Sequence, residues 1–159
     1  MSVFTSARPV VQTLLVVNDA ERAIAFYNRV FGAQEVWRVM HWHRVGHAVL
    51  RIGCSEIIVL DEFSEADILG PDSAEIGRAA PRLLVEIDDV DVVLERALTH
   101  GATLVGEAQD QWWGVRSGSI RDPFGYRWNI HSVIEELSEN DIQRRADELG
   151  LYPPPQRPS

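Results

Sequence analysis

The densest run of side chains able to do chemistry lies between Trp112 and Asn129, where three of the five tryptophans and three arginines fall in one stretch. Indole faces attract cations and stack on planar ligands, at about 0.5–2 kcal/mol per cation contact. A guanidinium grips carboxylate or phosphate through paired hydrogen bonds. Trp112 and Trp113 are adjacent, so on a strand they face opposite sides, one inward and the other toward a ligand. Arg116 has two readings, a grip on an anionic group of a ligand or a cross-strand pair with an acidic residue. Trp37 and Trp42 add two further indoles earlier in the chain.

Glu86 and His131 are a candidate acid–base pair, because both have polar parity on their strands and histidine titrates near neutrality. The competing reading has Glu86 neutralising Arg82, four residues earlier on the same strand face. His41, His43 and His47 stand close together in sequence. A metal site needs three or four convergent ligands and no carboxylate lies beside them, so they read as an exposed hairpin turning at Arg44-Val45-Gly46, or as a cavity rim. Cys54 is the single cysteine, which excludes an internal disulfide and a cysteine-based zinc site and leaves it as small apolar filler. The sequence contains no phosphate-binding glycine loop, nucleophile elbow or metalloprotease helix motif.

The elements that must position these groups recur. Residues 10–17 form an apolar strand that runs into a helix cap at Asn18-Asp19. Ala23, Ile24, Tyr27, Val30 and Phe31 repeat at helical spacing, and Gly32 stops the helix. Strands follow around Glu35–Met40, His47–Ile52 and Glu56–Leu60. After an acidic, Gly- and Pro-containing linker over 64–81, a strand at Arg82–Ile87 meets a second cap at Asp88-Asp89. Val90, Val93, Leu94, Ala97 and Leu98 then repeat before Gly101-Ala102. The paired caps and the paired Gly32-Ala33 and Gly101-Ala102 stops point to duplication of a β-α-β-β-β unit. Unit one spans about residues 10–63 and unit two about 82–135, within a single domain. Asp122-Pro-Phe-Gly reads as a tight turn between two strands of unit two. Ser138 caps a last helix over 139–149, and the proline-rich residues 153–158 are expected to extend over a surface or stay loose.

The chain has 159 residues, 45% hydrophobic and 25% charged, with a formal net charge of −9. The negative charge excludes nucleic acid as a partner. It favours a cationic ligand by raising its local concentration, and equally serves solubility. No apolar run approaches the ~18 residues of a membrane span and no leader is recognisable, so a cytoplasmic protein with no membrane contact is expected.

Two segments carry a family resemblance: Val17-Asn-Asp-Ala-Glu-Arg-Ala-Ile-Ala-Phe-Tyr with Phe31-Gly-Ala, and Trp113-Gly-x-Arg-x-Gly through Asp122-Pro-Phe-Gly-x-x-Trp128. In this order and spacing the chain resembles the glyoxalase/bleomycin-resistance/extradiol-dioxygenase family, the vicinal oxygen chelate superfamily, over roughly residues 8–135. The resemblance implies an α+β fold of two β-α-β-β-β units, with curved mixed sheets around a cavity and the helices outside. It also implies four metal-ligand positions, which fall at Gln12, near Val59, at Arg82 and at Asn129. Only Gln12 is a common ligand type, and Arg82 has no lone pair to offer. No metal and no other cofactor is therefore expected.

Strand parity gives a helix-side set of Leu15, Val17, Ile58, Leu60, Leu83, Val85, Ile87, Trp128 and Ile130. The opposite set holds Gln12, Val59, Arg82, Glu86, Arg127, Asn129 and His131. That mixed, polar set suits a solvent-facing sheet or a ligand cavity, and the resemblance favours the cavity. The reading is a metal-independent, drug-binding homodimer of the bleomycin-resistance type, sequestering an aromatic or cationic antibiotic-like compound. Trp37, Trp42, Trp112, Trp113, Arg116, Gln12, Arg82 and Asn129 are its expected contacts. The alternative is a lyase, isomerase or cyclase, using a metal held by Gln12 and His41, His43 or His47, or metal-free with Glu86 and His131.

Overall fold

The structure, a computed structural model, describes residues 11–74 and 81–150. β1 (Thr13–Val17) leads into α1 (Ala20–Phe31), where Asp19 takes an extended backbone and its carboxylate accepts the Arg22 N–H. A carboxylate there satisfies a free helix N–H and faces the positive end of the helix dipole. Asp61 reinforces the same end, one oxygen accepting the Ala20 N–H at 2.7 Å and the other the Val45 N–H at 2.6 Å. Gly32, at φ 69°, ends the helix in a left-handed conformation that a side chain resists. β2 (Gln34–His41), β3 (Arg44–Ile52) and β4 (Ser55–Asp61) complete the first unit.

The second unit repeats the plan with β5 (Arg82–Glu86), α2 (Val90–Thr99), β6 (Thr103–Asp110), β7 (Val115–Arg121) and β8 (Arg127–Val133). Asp89 takes the part of Asp19 and accepts the Val92 N–H. α3 (Glu139–Glu148) follows, closed at its start by a reciprocal Ser138–Asp141 capping box. The strand orders are identical in form, β1-β4-β3-β2 and β5-β8-β7-β6, the first pair of each being parallel and the rest antiparallel. This is the α+β architecture of two β-α-β-β-β units, with α1 and α2 outside the sheets.

Each sheet therefore has a helix-covered face and an open face. The helix-covered faces of both units merge into one apolar core. Aromatic contacts cross between the units, with Phe31 against Trp128 at 4.6 Å between ring centres and Phe26 against Phe124 at 6.2 Å.

The Asp122-Pro-Phe-Gly turn is the polar counterpart of that join. Asp122 is buried and accepts from the Tyr27 hydroxyl at 2.7 Å, Trp128 Nε1 at 2.9 Å and the Phe124 and Tyr126 N–H groups at 2.9 Å. Burial pushes its carboxyl above the usual aspartate range, against the pull of those four donors. Burial, and the nearby Asp122, drive the Tyr27 hydroxyl well above the phenol range, so it stays protonated and donates. Tyr126 closes the edge of β1, its hydroxyl accepting the Val16 N–H at 2.9 Å and donating to the Val16 carbonyl at 3.0 Å.

Three expectations need correction. Val59, not Ile58 or Leu60, lies on the helix side of β4, because β1 pairs Leu15 with Val59 and so fixes the phase. The β2–β3 turn falls at Trp42-His43, with Trp42 at φ 58°, rather than at Arg44-Val45-Gly46. Gly46 lies inside β3, where an added Cβ would stand 3.1 Å from the His41 ring, so it serves a close approach rather than a turn. Cys54 is exposed in the β3–β4 turn instead of filling the core. The stretch read as linker begins with a 3₁₀ turn at Ser64–Ala66 and a Phe63–Ile68 bridge. Part of it, and the proline-rich 153–158 segment, lie outside the described residues.

Candidate functional site

Strand alternation sends every second side chain to the open face. In the second sheet the buried Val85, Ile120, Trp128 and Ile130 fix the phase, and the register then builds three cross-strand rows. Arg82, Arg127 and Arg121 form the first row, Leu84, Asn129 and Ser119 the second, and Glu86, His131 and Ser117 the third. Residues directly opposite on neighbouring strands stand about 5 Å apart at Cβ. The face thus grades from cationic, through neutral and polar, to a carboxylate beside an imidazole. The open face of the first sheet is more apolar: Trp37 is in register with Val49, Val49 with Ile58 and Ile58 with Leu14. Trp37 is half-buried and stacks on His47, with ring centres 5.1 Å apart and planes at 21°.

The expected contact residues separate into groups. Gln12, the residue just before β1, shares the parity of Leu14. Arg82, Asn129, Glu86 and His131 come together on the open face of the second sheet. Trp42 stands 93% exposed at the β2–β3 tip. Trp112 and Trp113 meet edge to face at 5.1 Å in the β6–β7 turn, where Arg145 of α3 donates to the Trp112 carbonyl at 3.0 Å. The five tryptophans therefore do not form one aromatic box. Trp128 is core, and Trp42 and the Trp112–Trp113 pair mark the tips of equivalent hairpins.

Arg116 lies on the helix side of β7 and binds Asp91 of α2 at 2.7 Å and Asp110 at 2.8 Å. Its hydrogen bonds hold the Asp91 carboxyl below the usual range. Of its two readings, the acidic partnership is the one formed. The suggested neutralisation of Arg82 by Glu86 does not form, because four residues along a strand span about 13 Å.

The four inherited ligand positions do not fit a divalent cation within one chain. Val59 has turned to the helix side, Arg82 has no lone pair and stands beside a second arginine, and Asn129 offers a single carbonyl oxygen. Among the described residues no cluster of three or more His, Cys, Asp or Glu is placed to hold a metal, and His41, His43 and His47 do not converge on one. Sequence reasoning passed over Glu56 and gave Arg127 no part in the site. Glu56 lies on the open parity of β4, paired with Arg51 at 2.9 Å. Arg127 keeps its Nε buried with no hydrogen-bond partner.

A half-open groove of about 1210 Å³ runs between the units, along the outer edges of β1 and β5. Gln12, Glu56, Leu84 and Glu86 belong to its wall as well as to the open faces, and Phe31 and Trp128 lie at its floor. Val30 of α1 and Val92, Val93 and Arg96 of α2 line it as well, and its volume exceeds the ~300–1,000 Å³ of most small-molecule clefts.

The family model described as the glyoxalase/bleomycin resistance protein/dioxygenase superfamily matches residues 10–130. The chain belongs to this superfamily. An uncharacterized protein of Mycobacterium bovis is 33% identical over 149 residues, covering 91% of this chain and 97% of that one. Among solved structures, TioX from Micromonospora sp. ML1 is 25% identical with a TM-score of 0.60, over 82% of this chain and 100% of its own. The fosfomycin resistance protein FosX from Listeria monocytogenes is 18% identical at a TM-score of 0.60, over 85% of this chain and 98% of its own, a likeness of fold alone. Among the described residues no helix is long and apolar enough to cross a membrane.

Proposed function

We propose that this chain is a metal-independent small-molecule-binding protein of the bleomycin-resistance type, working as a homodimer. In this reading the open face of the second sheet of one copy is closed by the open face of the first sheet of another. The carrying observation is where the apolar surface goes. One core consumes the helix sides of both units, while Leu14 at 51% and Leu84 at 60% exposure stand out on the two open faces. Leu14 continues an apolar row with Ile58, Val49 and Trp37 on the first sheet, and a contiguous apolar strip suits a covering partner. Trp37 and His47 would supply a flat aromatic wall, and Asn129, Ser119 and His131 a set of hydrogen-bonding groups opposite.

The ligand class is an antibiotic-like compound with a planar part. Intrinsic tryptophan fluorescence titrated against a panel of planar natural products, run beside sedimentation equilibrium, tests the reading. A saturable change at micromolar compound in a dimeric sample supports it; a silent panel overturns it. The adjacency of Glu86 and His131 favours a second reading, proton-transfer catalysis without a metal. There, Glu86→Gln or His131→Gln abolishes turnover and leaves binding intact.

A further inference from the structure

We infer that Arg82 and Arg127, with Arg121 beside them, form an anion site that anchors a carboxylate or phosphate group of the ligand. This rests on the small-molecule reading above and narrows it to compounds with an acidic head.

The cross-strand register sets the three guanidinium-bearing residues side by side, Arg82 opposite Arg127 and Arg127 opposite Arg121. Like charges directly opposite one another on a sheet repel. Elsewhere on the strands the chain neutralises its arginines: Arg38 meets Glu21 and Glu35, Arg44 meets Glu65, Arg51 meets Glu56, and Arg116 meets Asp91 and Asp110. In the row itself Asp72 takes Arg121 at 2.5 Å. Arg82 and Arg127 have no acidic partner among the described residues, although the chain carries 24 Asp and Glu against 15 Lys and Arg. Arg127 Nε is in addition buried without an acceptor.

Two like charges held side by side are unfavourable, and one acceptor-only group between the two guanidiniums relieves that repulsion. A carboxylate or phosphate is such a group. Asn129 and Ser119 in the next row add neutral donors, while Glu86, the carboxylate on this face of β5, lies about 13 Å away along the strand. The overall charge of −9 would favour a cationic ligand only if it were uniform. Local field, not net charge, sets what a site attracts.

Isothermal titration calorimetry on the full chain with four matched probes tests the site: benzoate, phenyl phosphate, benzyl alcohol and benzylamine. The two acids are expected to bind, with the alcohol and the amine weaker by about tenfold or more, the scale of one charge-assisted hydrogen bond. Arg82 is exposed and has no ion-pair partner among the described residues, so Arg82→Gln should fold normally and weaken both acids while leaving benzyl alcohol unchanged. Arg116→Gln, on the helix side, should change none of the four. Comparison of the two acids tells a planar from a tetrahedral anion preference. Benzylamine binding as tightly as benzoate, or Arg82→Gln binding the acids like the wild type, overturns the site. If neither acid binds, the anion site falls, and the fluorescence panel decides separately whether the wider reading falls with it.

Discussion

Substituting Tyr27 by Phe removes one oxygen and tests whether the Asp122 turn holds the two units together. Asp122 is only 4% exposed, so no solvent replaces the donor lost at 2.7 Å. A hydrogen bond to a charged group contributes about 1.5–3 kcal/mol net, and leaving a buried acceptor short of a donor keeps the loss toward the upper half of that range. The ring itself remains, and with it the edge contact to Phe124 at 6.2 Å, so packing changes little. A loss of ~2.5 kcal/mol corresponds to a fall in Tm of about 5–10 °C for a chain of this size. Urea unfolding followed by circular dichroism, with the slope unchanged and the midpoint lowered, is the assay. A stability within about 0.5 kcal/mol of the wild type, the range of an ordinary surface substitution, would refute the reasoning. Asp122→Asn should cost more, because its amide turns a donor toward groups that are themselves donors.

Gly118 lies under α2, where an added Cβ would stand 2.6 Å from Leu94 Cδ1; Gly118→Ala should therefore destabilise by about 1–3 kcal/mol through overpacking, read from the thermal midpoint. Leu84→Glu places a charge on the exposed apolar position of β5, and should leave the circular dichroism spectrum unchanged while shifting sedimentation equilibrium from dimer to monomer. Acid should weaken the fold: Glu35, Asp91, Glu135 and Asp141 have lowered carboxyl pKa values through their hydrogen bonds to Arg38, Arg116, Arg145 and Ser138. Their contribution is present above the usual carboxylate range and is lost as the pH falls through their folded values. Asp122, shifted upward by burial, acts in the opposite sense and favours the folded state on the acid side. Urea midpoints measured from pH 6 downward should fall, and should do so less steeply when Arg116 is replaced by Gln.

The duplication was legible because helix caps and stops are local. Asp19 and Asp89 cap where the sequence puts them, and Gly32 takes the left-handed conformation that only its lack of a Cβ makes easy. Parity on β4 was not legible, since Ile57, Ile58, Val59 and Leu60 are apolar and buried on both faces. An unbroken apolar run has no phase until a neighbouring strand supplies one. That one-residue slip hid Glu56 and misplaced Val59. On β5 and β8, where polar and apolar residues alternate, Arg82, Glu86, Asn129 and His131 fell on the expected face. Arg116 kept two readings in the sequence because its partners, Asp91 and Asp110, come from a helix and a neighbouring strand, and the cross-strand acidic pair is the reading that forms. The tryptophans marked strand tips and core, not a shared box, because residue type tells what a side chain can bind but not which hairpin it ends.

The location of binding is the central claim, and hydrogen–deuterium exchange with and without a saturating compound from the fluorescence panel measures it directly. Slowed exchange in β5, β7 and β8 together with β2 and β3, and none in α3, is the result expected of a ligand held between open faces. Protection confined to α3 and the Trp112–Trp113 turn, or spread evenly over the core, would contradict it.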